Sequence, residues 1–211
     1  MLQAMVVDVE TLRPGDHMDL IYRTRAEQFA TICPFIRSGL ARRERCLYIA
    51  NDTSIALVLD KLAKACVDTV AALKNGSLIV ATKKDTFQDR GVFEPEKMVT
   101  HLRQEVDNAL KLGFSGLRAT GEMTWTLDAP EALNRLIEYE ALLHKRFAKQ
   151  LTGLCQYDET RFSPEILSEI LRIHPKVIVR GRIHENPFLT DADRVVSTAL
   201  PRVSVNDFIV T

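Results

Sequence analysis

The sequence lacks a surplus of charge of either sign. Of its 211 residues, 28 are lysine or arginine and 28 are aspartate or glutamate, so the formal net charge is zero. Domains that bind nucleic acids usually carry a basic surplus or a basic face. The balance therefore argues against direct nucleic-acid binding, although residues 42–45 form one short basic patch.

Long apolar runs and paired cysteines are also missing. No run approaches the roughly 18 apolar residues that cross a bilayer. Residues 1–11 hold two acidic and no basic side chains, unlike a signal peptide. The four cysteines include no C-x-x-C pair, which argues against a zinc knuckle or a redox pair. We expect a soluble, cytoplasmic protein with reduced cysteines and no membrane contact.

The motifs of common enzymes are absent as well. A nucleotide-hydrolysing P-loop needs glycines and a lysine after the first strand, because backbone amides must surround the phosphates. Here the corresponding turn begins Tyr22-Arg23-Thr24, and Glu27 would repel phosphate. Gly-x-Gly-x-x-Gly, Gly-x-Ser-x-Gly and His-Glu-x-x-His do not occur either. The sequence therefore predicts neither ATP hydrolysis nor another familiar enzyme activity.

What the sequence does contain is a regular alternation of strand and helix patterns. Such alternation predicts an α/β fold of three layers, with a mainly parallel sheet between helices. We expect one domain over residues 1–190, followed by a C-terminal arm at 191–211 without a helical signal. The predicted strands span residues 19–22, 45–50, 77–82, 116–125, 151–157 and 176–183. The predicted helices begin near Thr24, Ser54, Pro95, Asp128 and Ser163, and the second extends to Cys66.

In an open α/β sheet, ligands bind at the carboxyl ends of the strands. The side chains that follow these ends mix aromatic and polar groups, which suits a small, partly apolar ligand. We expect Tyr22, Glu122, Trp125 and Tyr157 to line one pocket. The other candidates at this edge are Arg23, Asn51 and Asp52.

Three assignments at this site stay open. Glu122 is either desolvated beside Trp125, with a raised pKa, or bound to backbone amides as a cap. Trp125 is either core or ligand wall. If the first and fifth strands are neighbours, His17, Cys155 and an acid could meet and bind a metal. We read Glu140 and His144 as a solvated helix pair and His174 as a helix cap.

Several segments together resemble the MEDS domain, the methanogen/methylotroph sensory domain of prokaryotic signalling proteins. The resemblance covers residues 13–190, and no single motif in it is decisive. The segments that carry it are residues 15–22, 34–40, 45–49, 121–125 and 154–158, with His174-Pro175 and Asn186-Pro187.

The resemblance implies a fold related to the RecA/KaiC-type ATPase core, with a degenerate P-loop. It also implies a sensor of simple hydrocarbon derivatives, such as methylated or halogenated one-carbon compounds. Family members are often joined to a DNA-binding helix-turn-helix or a kinase. We expect this chain to act instead through a separate signalling partner, a kinase or a transcription regulator.

Our leading hypothesis is therefore a non-catalytic sensor for a small organic ligand, with His17 and Cys155 as its polar or metal handle. The alternative is an interaction or oligomerisation scaffold without a small ligand, and a homo-oligomer fits either. A third hypothesis is unfamiliar enzyme chemistry centred on Glu122, Cys155 and His17. The sequence assigns no cofactor.

Overall fold

The computed structural model describes residues 8–82, 85, 93–128, 132–133, 135–146, 149–190 and 203–208. In this part of the chain, strands and helices alternate as the sequence predicts. The strands are β1 (His17–Tyr22), β2 (Arg45–Ala50), β3 (Leu78–Thr82), β4 (Leu117–Glu122), β5 (Leu151–Asp158), β6 (Lys176–Val179) and β7 (Arg182–Glu185). The helices are α1 (Arg25–Ala41), α2 (Ile55–Lys64), α3 (Thr69–Lys74), α4 (Pro95–Lys111), α5 (Leu136–Lys145) and α6 (Pro164–Ile170).

The strands form one sheet in the order β3-β2-β4-β5-β1-β6-β7. All pairs are parallel except β6 with β7. One apolar core packs α1, α2 and α3 against one face, and a second packs α4, α5 and α6 against the other. The predicted three-layer fold with a mainly parallel sheet is therefore confirmed, and β1 and β5 lie side by side at its centre.

The start of α1 follows the predicted capping chemistry. The Thr24 side chain accepts a hydrogen bond from the amide of Glu27 at 3.2 Å, and Oε2 of Glu27 accepts one from the amide of Arg23 at 2.8 Å. Only Arg23 and Thr24 separate β1 from α1. The carboxylate of Glu27 thus lies at the N-terminus of α1, and the connection that precedes this helix has only two residues.

The structure corrects the last predicted strand. Residues 176–183 form two antiparallel strands rather than one. Arg180 and Gly181 have φ values of 51° and 71°, so both adopt the left-handed conformation that a tight hairpin turn requires. The sequence predicts one strand here because the apolar residues of β6 and β7 form one alternating pattern, and the dipeptide Arg-Gly does not strongly predict a turn.

Two other elements end earlier than predicted. The second helix stops at Lys64 because Cys66 has a φ of 64°, and a separate helix, α3, follows it. β4 ends at Glu122, and residues Met123–Asp128 form a 3-10 helix that contains Trp125.

Some expectations fall on residues outside the described ranges. These are residues 129–131 of the capping box that begins at Asp128, residues 83–84 and 86–92 of the predicted loop, and most of the arm at 191–211. Within that arm, Val203 and Phe208 are buried in the core beside α6. No helix in the described part of the chain is long and apolar enough to cross a membrane.

Candidate functional site

The predicted lining residues lie on opposite faces of the sheet. Tyr22 belongs to the core beneath α1, whereas Trp125 and Tyr157 belong to the core beneath α4, α5 and α6. Glu122 lies with Tyr22, because Tyr48 and Gln28 on the α1 side both contact its carboxylate. The prediction that Tyr22, Glu122, Trp125 and Tyr157 line one pocket is therefore wrong. Side chains alternate along each strand, so neighbours at a strand end point to different layers.

Glu122 is a buried acceptor that fixes the turn after β2. Its Oε2 accepts hydrogen bonds from the backbone amides of Asn51, Asp52 and Thr53 at 3.0, 2.6 and 3.0 Å. Its Oε1 accepts one from the hydroxyl of Tyr48 at 2.7 Å. Burial alone would raise the pKa of Glu122, but these hydrogen bonds hold it below the ordinary value. The hypothesis of a raised pKa is wrong, and the alternative of backbone-amide binding is confirmed.

The remaining polar candidates at this edge, Arg23, Asn51 and Asp52, each bind a residue of a neighbouring loop. Nε of Arg23 lies 2.6 Å from Glu159, and Asp52 pairs with Arg161 at 2.9 Å. The side-chain amide of Asn51 donates to the hydroxyl of Thr124 at 3.0 Å. These contacts join the loops that follow β1, β2, β4 and β5.

On the other face, the structure brings His17 and Cys155 together. Because β1 and β5 are neighbours, Nε2 of His17 lies 3.5 Å from Sγ of Cys155. An acid completes the group, since Oε2 of Glu140 on α5 lies 3.6 Å from the same nitrogen. All three residues are buried. The predicted meeting of His17, Cys155 and a carboxylate is thus present in the structure.

Two buried residues that sequence reasoning missed extend this group. Nε2 of His174 lies 3.0 Å from Nδ1 of His17, and Nδ1 of His174 lies 2.6 Å from Oδ2 of Asp19. The hydroxyl of Tyr157 donates a hydrogen bond to Oε1 of Glu140. We call His17, Asp19, Glu140, Cys155 and His174 the polar cluster.

The prediction that Glu140 and His144 form a solvated pair is wrong for Glu140, which is fully buried. His144 is half-buried, and its ring lies 5.8 Å from that of His174. The only sequence feature that could have placed His174 near His17 is its position just before β6, because β6 pairs with β1. That pairing is not visible without the sheet order.

Burial controls protonation in the polar cluster. It lowers the pKa of His17 well below the ordinary value, and a positive charge on His174 would lower it further. Burial raises the pKa of Glu140 to about 7, and the nearby Asp19 carboxylate acts in the same direction. Burial likewise raises the pKa of the Cys155 thiol. His17 is therefore a neutral imidazole near pH 7, with one ring nitrogen able to accept a proton or bind a metal.

A small cavity lies beside the polar cluster, between β4, β5 and the helices α4 and α5. Its volume is about 40 Å³. Space exists there because small residues, Ala119, Gly121 and Gly153, face the helices at adjacent strand positions. Trp125 forms part of the wall and packs edge-on against Phe93. The other lining residues are mostly apolar: Ile49, Met98, Leu102, Met123, Tyr139, Leu143, Leu151 and Leu154, with Thr120, His17 and Cys155.

The mainly parallel α/β fold is one that solved structures share. The KaiC-like protein PH0186 from the hyperthermophilic archaeon Pyrococcus horikoshii OT3 aligns with a TM-score of 0.56 at 13% identity, over 79% of this chain and 72% of that one. The uncharacterized protein PH0321 from Pyrococcus horikoshii, solved with an unknown peptide, aligns with a TM-score of 0.58 at 15% identity, over 79% and 77%. The domain therefore has the RecA/KaiC-like fold.

The sequence model of the MEDS family, the MEthanogen/methylotroph, DcmR Sensory domain, matches residues 16–175. The chain belongs to this family of sensory domains. The matched segment contains His17, Asp19, Glu140, Cys155 and His174, and also the strands that line the cavity. No curated protein sequence matches the chain.

Proposed function

We propose that this chain is a non-catalytic sensor that binds a simple hydrocarbon or one-carbon derivative in the cavity beneath β4 and β5. The observation that carries the proposal is an apolar cavity next to a buried polar cluster, in a chain of the MEDS family. Apolar walls favour a weakly polar ligand, and His17 and Cys155 supply a polar handle at one end.

The size of the cavity supports a very small ligand. A water molecule needs about 10–15 Å³ of such volume, so 40 Å³ has room for about three heavy atoms. Methanol and dichloromethane are of that size, whereas a nucleotide is far larger. The two-residue connection before α1, with Glu27 at the helix N-terminus, also supports a sensor without ATP hydrolysis.

In this proposal, the two helices that form walls of the cavity transmit ligand binding to the partner protein. Met98 and Leu102 belong to α4, and Tyr139 and Leu143 belong to α5, so an occupied cavity favours particular positions of these two helices. A ligand shifts the equilibrium between two states only by its difference in affinity for them. The partner that reads the shift is a separate kinase or transcription regulator in the cytoplasm.

Fluorescence of Trp125 tests the proposal, because Trp125 is the only tryptophan in the sequence and lines the cavity. Titration with dichloromethane or methanol is expected to change its emission with a saturable dependence on concentration. A change that rises linearly without saturation reports collisional quenching alone and contradicts a bound ligand.

Replacing Gly121 with alanine provides the matched variant. A Cβ at this position meets its nearest neighbour, Cβ of Ile49, at 3.5 Å, which is an ordinary contact. The variant is therefore expected to fold with unchanged thermal stability while its methyl group occupies ligand space. We expect the affinity for dichloromethane to fall about tenfold or more. Equal affinity of the two proteins would place the ligand elsewhere.

A second candidate function, an interaction scaffold, has one observation in its favour. Apolar side chains of α2 and α3 are exposed, Val70 to 76% and Leu73 to 41%. This candidate predicts a defined oligomer whose mass does not depend on small molecules. Native mass spectrometry of wild-type protein and Val70→Asp separates the two, because only a scaffold that uses this face loses its oligomer in the variant.

A further inference from the structure

The polar cluster has the composition of a transition-metal site. Nε2 of His17, Oε2 of Glu140 and Sγ of Cys155 come from two adjacent strands and a facing helix, and they lie within 4.8 Å of one another. Nitrogen, oxygen and sulfur donors together suit Zn²⁺, which accepts all three, better than Mg²⁺ or Ca²⁺, which prefer oxygen alone.

The distances match those of a tetrahedral site. With bonds of about 2.0–2.3 Å, the edges between ligand atoms in tetrahedral zinc sites measure about 3.3–3.7 Å. Nε2 of His17 lies 3.5 Å from Sγ of Cys155 and 3.6 Å from Oε2 of Glu140. Two edges of the tetrahedron are thus already formed.

One ligand atom at this position, Oε2 of Glu140, is buried and lacks a strong hydrogen-bond donor. Oε1 of Glu140 is bound by the Tyr157 hydroxyl, but the fully buried Oε2 makes no hydrogen bond of good geometry. The groups near the carboxylate are the thiol of Cys155, which is a weak donor, and the ring nitrogens of His17 and His174 at 3.6 and 3.7 Å from Oε2. A buried carboxylate oxygen without a strong donor is costly. A cation between Glu140, His17 and Cys155 removes that cost.

The residues behind His17 provide a partner for the ring nitrogen that would not bind the metal. A histidine that binds a metal through Nε2 carries its proton on Nδ1 and donates a hydrogen bond from there to a neighbouring acceptor. Nδ1 of His17 lies 3.0 Å from Nε2 of His174, whose Nδ1 in turn lies 2.6 Å from Asp19. With its proton on Nδ1, His17 can therefore donate to Nε2 of a neutral His174, and the Asp19 carboxylate lies beside the other ring nitrogen of His174.

We propose that His17, Glu140 and Cys155 bind one Zn²⁺ ion, with His174 and Asp19 as positioning residues and the fourth coordination position beside the cavity. Zn²⁺ displaces the thiol proton of Cys155, and the thiolate and the Glu140 carboxylate then balance its two positive charges. Since His17 and Cys155 both line the cavity, the open position lies where a small ligand with a lone pair can reach it. The proposal goes beyond the proposed sensor function and does not depend on it.

The test measures zinc in purified protein by mass spectrometry, after incubation with Zn²⁺ and dialysis. Wild-type protein is expected to retain about one zinc per chain, and Cys155→Ser to bind it at least tenfold more weakly. Cys46→Ser is the matched control, because Cys46 is equally buried but lies on the opposite face of the sheet, and it is expected to retain zinc. Equal zinc content in the two cysteine variants, or none in wild type, overturns the proposal.

A positioning variant keeps the proposal testable if Cys155→Ser does not fold. Asp19→Asn preserves shape, and loss of a charge behind a metal-binding histidine typically weakens affinity about 10- to 100-fold. Bound Co²⁺ adds a spectroscopic readout, since only a site with a cysteine ligand shows a sulfur-to-cobalt charge-transfer band. A cobalt complex without this band contradicts Cys155 as a ligand. Zinc binding without any response to dichloromethane would retain the metal site and reject the sensor proposal.

Discussion

Replacing Glu122 with alanine is expected to lower the free energy of unfolding by about 4 kcal/mol. The change removes the acceptor of three backbone amides and of the Tyr48 hydroxyl, and the lost carboxylate is itself fully buried. Glu122→Gln keeps the shape and one acceptor oxygen, so about half that loss is expected. Urea denaturation measures both values.

The matched control is Glu138→Ala, which breaks an exposed ion pair with Arg135 and should cost less than about 1 kcal/mol. Losses of similar size at Glu122 and Glu138 would contradict the role of Glu122 as the acceptor that fixes the β2 turn.

The contribution of Glu122 also has a predicted pH dependence. Its pKa is lower in the folded protein than in the unfolded chain, because hydrogen bonds favour the carboxylate. The folded state therefore gains stability above the unfolded pKa and loses it as the pH falls through the folded value. The difference in unfolding free energy between wild type and Glu122→Gln should shrink from neutral pH toward strongly acid pH. A constant difference would contradict a charged Glu122.

Replacing Arg118 with alanine is expected to cost about 3–5 kcal/mol. Arg118 is fully buried on the α1 side of β4, where its guanidinium pairs with Glu44, donates to the carbonyl of Leu12 at 3.2 Å and lies over the ring of Phe35. Removing one partner of a buried ion pair leaves the other charge without compensation. The loss should appear as a lower urea midpoint.

A double-mutant cycle provides the control for Arg118. Because both partners are buried, Arg118→Met combined with Glu44→Gln should cost clearly less than the sum of the two single changes. Additive losses would mean that the two side chains contribute independently. Ala119 and Gly121 on the same strand line the cavity. The ion pair between Arg118 and Glu44 therefore also stabilises the strand that forms the ligand site.

Most strands could be predicted from the sequence because apolar runs end at recognisable turns. β2 was predicted to the residue, and β5 missed only Asp158. The hairpin between β6 and β7 was missed because its turn depends on the left-handed conformation of Arg180, which no local pattern required. The early end of β4 was missed because Met123 and Trp125 alternate with threonines, as apolar and polar residues do in a strand.

Of the candidate site, the sequence predicted only the contact between His17 and Cys155, which depends on two strands being neighbours in the sheet. The pairing of His17 with Cys155 followed from the assumption that β1 and β5 are adjacent. Glu140 and His174 were missed because their inward direction depends on how α5 and the segment before β6 pack. The separation of Tyr22 from Tyr157 depends on register, since Ile21 and not Tyr22 is opposite Tyr157. An α/β sequence pattern does not specify these tertiary choices.

The central claim is that a small organic molecule binds in the cavity beside the polar cluster, and methionine-methyl NMR tests it most directly. Met98 and Met123 line the cavity, whereas Met18 lies in the core on the other face of the sheet and serves as an internal control. Titration with dichloromethane is predicted to shift the Met98 and Met123 signals to a plateau and to leave the Met18 signal in place. Signals that all stay unchanged, or that all drift together without a plateau, would contradict the account.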